Sequence, residues 1–113
     1  MYHAMKSHQG QQRGGEKMAE RAELMTRWII KNHTFKQQLE QAIEEASEFI
    51  LAAQKWKRYG CEEQRKNLIE ETADLLIMME QMRWYLDAKA VDNIVIYKLE
   101  RQEMRTINGA SGS

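Results

Sequence analysis

Apolar residues recur along this chain at helical spacing from Glu16 onward. A first stripe, Ala22, Met25, Trp28 and Ile29, ends near Lys31-Asn32. A second is longer: Phe35, Leu39, Ala42, Ala46, Phe49, Ala53 and Trp56 alternate by fours and threes, and Ile43 and Ile50 widen the seam to a globular stripe. Asn32 or Thr34 is placed to cap its start. Gly60, following Lys55, Lys57 and Arg58, is placed to end it in the left-handed conformation. After a short connection at Cys61, a third helix is predicted antiparallel to the second, from Glu62 to about Leu86. Its run Leu75-Leu76-Ile77-Met78-Met79 is apolar all round, the pattern of a helix buried on every side. Asp87-Ala88-Lys89 reads as a turn. A last helix, from about Val91 to Arg105, is expected to turn Val91, Ile94, Val95 and Leu99 inward, with Lys98, Arg101 and Arg105 along one face.

The pattern therefore predicts an all-α protein, a bundle of four to five helices forming a single domain over residues 16–107. The chain has no proline, and its glycines cluster at the two ends apart from Gly60, so one clear break interrupts the helical interior. Residues 1–15 lack periodicity and read as a disordered arm; His3 and His8 lie there, at a spacing that matches no ligand pattern. Residues 108–113 are Gly/Ser/Ala-rich apart from Asn108 and read as a flexible tail. A protomer of 113 residues is short to surround a helix as apolar as the third, so assembly into a dimer or tetramer is expected.

Charge and cysteine content narrow the function classes. Lys plus Arg and Asp plus Glu both number 17, so no net field points to a nucleic acid polymer or an acidic membrane surface. The longest apolar run, five residues, falls far short of the roughly 20 a membrane helix needs. The single cysteine, Cys61, provides neither an intramolecular disulfide nor a thiolate cage, and it has no His partner for nucleophilic chemistry. With no signal-peptide pattern, a soluble cytoplasmic protein is expected.

Two acidic clusters stand out against this background: Glu44-Glu45-Ala46-Ser47-Glu48 and Glu70-Glu71-Thr72-Ala73-Asp74. Glu45 and Glu48, and likewise Glu71 and Asp74, are three residues apart, which puts each pair on one side of its helix. Glu45 falls on the border of the apolar stripe, Glu48 further round and Glu44 further still. If the two helices pack together, four carboxylates meet, and they repel one another unless a cation joins them. Hard oxygen donors in that number suit magnesium or manganese, and magnesium commonly recruits substrate phosphates as well. Neither acidic helix contains a His, which excludes the Glu-x-x-His pairs of a di-iron bundle. The residues alone leave a second reading open, a non-catalytic helical homo-oligomer or adaptor whose acids and bases form salt bridges between subunits.

The series Glu44-Glu45-x-x-Glu48, Glu71-x-x-Asp74 followed by Leu75-Leu76, and Lys98-x-x-Arg101 on a closing helix resembles the MazG-like, all-alpha nucleoside triphosphate pyrophosphohydrolases over roughly residues 34–105. The resemblance implies a helical bundle assembled as dimers or tetramers that cuts a triphosphate between its α and β phosphates, giving the monophosphate and pyrophosphate. It implies that Glu45, Glu48, Glu71 and Asp74 hold Mg2+, or Mn2+, and that Glu44 is an auxiliary acid. Glu48 or Glu45 would serve as proton acceptor. It further implies that Lys98 and Arg101, with Asn93 and Tyr97, grip phosphates, and that Lys55 adds a phosphate contact. Trp28 and Gln38 are candidates for the base site. The segment Glu70-Glu71-Thr72-Ala73-Asp74-Leu75-Leu76 also resembles the phosphoribosyl-ATP pyrophosphohydrolases, the alternative enzyme class; the Lys98-x-x-Arg101 pair favours the MazG-like branch.

Overall fold

Helix-favouring residues and the absence of proline give four helices in the computed structural model, which describes the backbone of residues 9–112 and the side chains of residues 17–109. In chain order they are α1 (Gln9–Asn32), α2 (Phe35–Tyr59), α3 (Glu62–Leu86) and α4 (Ala88–Gly112), with no strand among the described residues. None of these helices is long and apolar enough to cross a membrane. They fall into two compact units, one up to Met82 and one from Arg83 onward. The single domain expected over residues 16–107 spans both.

Local chemistry sets the helix ends of the first unit. The Thr34 side chain accepts from the Gln37 backbone N–H, and the Gln37 side chain accepts from the Thr34 N–H, a reciprocal cap that starts α2. Asn32 has a different task from the one expected: its Nδ2 donates to the Trp28 carbonyl at 2.7 Å and satisfies the end of α1. Gly60 takes φ 59°, and its N–H donates to the Trp56 carbonyl, closing α2. A side chain at Gly60 would cost about 1–2 kcal/mol in that conformation.

The buried face of α2 is a regular stripe of Gln38, Ala42, Glu45, Ala46, Phe49, Ala52 and Ala53, of which Ala42 and Ala52 are fully buried. Ile43 and Ile50, expected to widen it, are exposed. Among the described side chains of α1, Thr26 is buried, flanked by half-buried Ala22, Ile29 and Ile30, whereas Met25 and Trp28 are 56% exposed. In α3, Met78 and Met82 are buried and Leu75 and Leu76 half-buried, but Ile77 (53%) and Met79 (45%) are open. The run Leu75–Met79 is thus not enclosed on every side within one chain. A helix of this chain can pack one face against a neighbour, and the remaining apolar side chains stay at the surface.

In the second unit Asp87 caps α4, its Oδ1 accepting from the Ala90 N–H at 3.0 Å. Arg83 clamps the turn with two bonds to Asp92, Nε to Oδ1 at 2.7 Å and Nη2 to Oδ2 at 2.6 Å. The Arg83 hydrogen bonds hold the Asp92 carboxyl below its ordinary value, with the guanidinium charge adding to them against partial desolvation. Beyond Asp92 every described residue of α4 is exposed, including Ile94 (55%), Val95 (47%) and Leu99 (58%), which the periodicity turned inward.

Two further boundaries differ from the pattern. Backbone helix begins at Gln9, so it runs through residues 9–15, which composition assigned to a disordered arm; residues 1–8, with His3 and His8, lie outside the described residues. Glycines at 10, 14 and 15 weaken that helix by about 1 kcal/mol each, but Gln and Arg between them are good formers and no proline stops it. At the other end α4 continues to Gly112, through most of the expected tail.

Candidate metal centre

The connection between α2 and α3 is two residues, Gly60-Cys61, so the helices turn back on one another and run antiparallel. Their register is fixed by two rungs. At one, Gln38 Nε2 donates to Gln81 Oε1 at 2.9 Å. Seven residues further along α2 and seven back along α3 come Glu45 and Asp74. One carboxylate oxygen from each of Glu45, Glu71 and Asp74 lies within 4.8 Å of the others. Two sequence motifs on different helices therefore meet at one point.

Glu45 and Glu71 are half-buried, while Glu44, Glu48 and Asp74 are exposed, the order the helical angles give for α2. Glu45 Oε1 also accepts from Gln41 Nε2 at 3.1 Å, which orients its carboxylate. The Glu71 carboxyl is pushed above its ordinary value, first by partial burial and then by the charges of Asp74, Glu45, Glu48 and Glu70. Among the described residues, the four charged neighbours that raise it are all carboxylates. Glu48 thus belongs to the same electrostatic cluster, although the tight triad consists of Glu45, Glu71 and Asp74.

The donor set fits a hard divalent cation. Oxygens bound to one magnesium ion at about 2.1 Å sit about 3 to 4 Å apart, so side chains already within 4.8 Å need only small adjustments. Carboxylates without nitrogen or sulfur donors favour magnesium or manganese over softer metals. Repulsion at Glu71 is the state such an ion would relieve.

Lys55 is exposed near the end of α2. Asn93, Tyr97, Lys98 and Arg101 all belong to the second unit and are exposed along α4, with the Arg101 guanidinium 5.9 Å from the centre of the Tyr97 ring. Trp28 lines a groove between α1 and α3, and Gln38 holds Gln81 at the same groove. Cys61 is exposed at the α2–α3 turn.

Sequence reading missed Thr26 and Gln81, which are 5% and 4% exposed. A polar residue at a core position breaks the apolar pattern, and the signal that could have found Gln81 is its place seven residues after Asp74, on the same side of α3. Compared with protein-family models, curated proteins and solved structures, the chain matches none of them.

Proposed function

We propose that the chain is a magnesium-dependent nucleoside triphosphate pyrophosphohydrolase of MazG-like type. The observation that carries this reading is the convergence of Glu45, Glu71 and Asp74, with Glu48 beside them, from the two motifs on which the resemblance rests. A structural salt-bridge cluster would surround these acids with bases; among the described residues the charges that raise Glu71 are all negative.

In this reading Glu45, Glu48, Glu71 and Asp74 hold the cation. When bound, it neutralises the triphosphate, aligns it for in-line attack and makes water more acidic. Glu48, exposed at the edge of the triad, accepts the proton from the attacking water, with Glu44 as a further acid nearby in sequence. The water oxygen bonds to the α-phosphorus as the bond from that phosphorus to the α–β bridging oxygen breaks, and the electron pair leaves with pyrophosphate. The resemblance assigns stabilisation of the charge on that leaving group to Lys98 and Arg101, with Asn93 and Tyr97 beside them in sequence on α4, and a phosphate contact to Lys55 on α2. No covalent intermediate is needed.

The protein acts as a homodimer or homotetramer. Ile94, Val95, Leu99 and Met79 expose about half of their surface or more, and a second copy is the partner that covers them. Sedimentation at micromolar concentration is expected to give a dimer or larger species; a well-folded monomer would remove the assembly. The function itself is tested by offering canonical and modified nucleoside triphosphates with magnesium. Equal amounts of pyrophosphate and nucleoside monophosphate, lost on chelation, are expected, whereas release of orthophosphate or no turnover across the panel contradicts it.

A further inference from the structure

The groove between α1 and α3 has a volume of about 840 Å³ and an almost wholly apolar wall that includes Leu24, Met25, Trp28, Leu76 and Ile77. That size and lining suit a small molecule held by apolar contact and oriented by a few polar groups. Gln81 supplies such a group: it lines the groove, is only 4% exposed and has its Oε1 engaged by Gln38 Nε2.

Position says what the groove would hold. Gln81 lies seven residues beyond Asp74 on α3, and Gln38 lies seven residues before Glu45 on α2. The amide rung is thus two turns from the acidic rung along both helices, about 10 Å at 1.5 Å per residue. That is on the scale of the distance between a phosphate and the far edge of the base in one nucleotide. Ala73, which precedes Asp74, is part of the groove wall, so groove and acids share α3.

Among the described residues, neither Gln38 nor Gln81 makes a further side-chain hydrogen bond. A primary amide carries a donor on one side and an acceptor on the other, and its terminal torsion is broad and roughly two-fold. The two amides can therefore turn over together. With Gln38 donating, Gln81 offers its Nε2–H to a ligand; with the bond reversed, Gln81 donates to Gln38 Oε1 and offers its own Oε1.

Resting on the nucleotide reading above, we infer that the Gln38–Gln81 pair is a reversible amide that seats the nucleobase in the α1–α3 groove and accepts either polarity at its edge. A base carbonyl, as in uracil, thymine or guanine, meets the Gln81 donor; an exocyclic amine, as in cytosine or adenine, meets the Gln81 acceptor. Trp28, 56% exposed on the wall, offers a stacking face that is indifferent to base identity. The substrate class is nucleoside triphosphates without a strict choice between carbonyl and amino bases.

The test is a nuclear magnetic resonance titration of the full chain with deoxyuridine and deoxycytidine, following the Gln81 side-chain amide. Neither ligand carries a phosphate, so the readout is independent of turnover and of metal. Both nucleosides are expected to shift that resonance, with affinities within about threefold. Gln38→Glu can only accept when ionised, so it fixes Gln81 as donor to position 38 and acceptor to the ligand. The ratio should swing toward deoxycytidine by about tenfold. Gln38→Lys can only donate and should swing it toward deoxyuridine by a similar factor. Gln81→Leu, which keeps the position filled, should weaken both. Absence of nucleoside binding, or an unchanged ratio in folded Gln38→Glu and Gln38→Lys, overturns the inference. If the nucleosides bind as described but no triphosphate is hydrolysed, the hydrolase reading falls and the base seat stands. If triphosphates are hydrolysed and the ratio does not move, the base seat falls alone.

Discussion

Replacing Glu71 with Gln is expected to abolish magnesium-dependent turnover while leaving the metal-free protein as stable as the wild type or more so. Loss of a group that merely orients a ligand commonly lowers metal affinity or activity by about 10–100-fold, so removing a carboxylate from the triad should reduce turnover by roughly 100-fold or more. The stability effect has the opposite sign to an ordinary deletion because Glu71 is held among like charges. Its folded-state value is raised, so the folded protein binds the proton more tightly than the unfolded chain does. The favourable contribution is full below the unfolded value and is lost as pH rises through the raised folded value. Gln does not titrate, so the metal-free variant should lack that decline as pH rises above the ordinary carboxylate range. Magnesium should raise the melting temperature of the wild type; at about 100 times its dissociation constant a ligand contributes roughly 2.7 kcal/mol. The variant should lose that rise. Thermal melts across pH, with and without magnesium, read both effects. A variant that melts well below wild type without metal and still hydrolyses triphosphates would show that Glu71 is half of a structural pair.

The second large effect is expected on α4. If Lys98 and Arg101 stabilise the departing pyrophosphate, Lys98→Ala or Arg101→Ala should lower kcat by about 10²–10³-fold, the scale seen when one preorganised charge-stabilising donor is removed. Both side chains are exposed, so the melting temperature should change little. Arg105 continues the same face of α4, and Arg105→Ala provides the comparison. Steady-state kinetics beside thermal melts separates the cases. Equal losses in all three variants, or a fall in stability that tracks the fall in kcat, would assign this face to assembly.

The acidic centre was legible because its information is local. Spacings of three residues put each carboxylate pair on one side of a helix, and the short Gly60-Cys61 connection brings α3 back along α2, where Glu45 meets Glu71 and Asp74. The caps at Thr34 and Gly60 were legible for the same reason, since each is a property of a few adjacent residues. What the pattern could not supply is the choice among several apolar faces. Ile43, Ile50, Ile94, Val95 and Leu99 lie at helical spacing, yet each leaves about half of its surface or more exposed. Periodicity shows that a face is apolar and not which surface meets it. Thr26 and Gln81 were missed by the converse rule, because a polar residue enters a core only where a specific hydrogen bond or helix crossing admits it. The early start of α1 at Gln9 has a related origin, since the glycines that suggested a break only lower propensity.

The most direct test of the central claim, that these four carboxylates form one divalent-cation centre, is titration of isotopically labelled protein with manganese, whose paramagnetism broadens nearby resonances. Signals of Glu45, Glu48, Glu71 and Asp74 are expected to broaden first, with magnesium competing and Glu71→Gln losing the effect. Broadening that begins at other acidic residues, or that persists unchanged in Glu71→Gln, would contradict it.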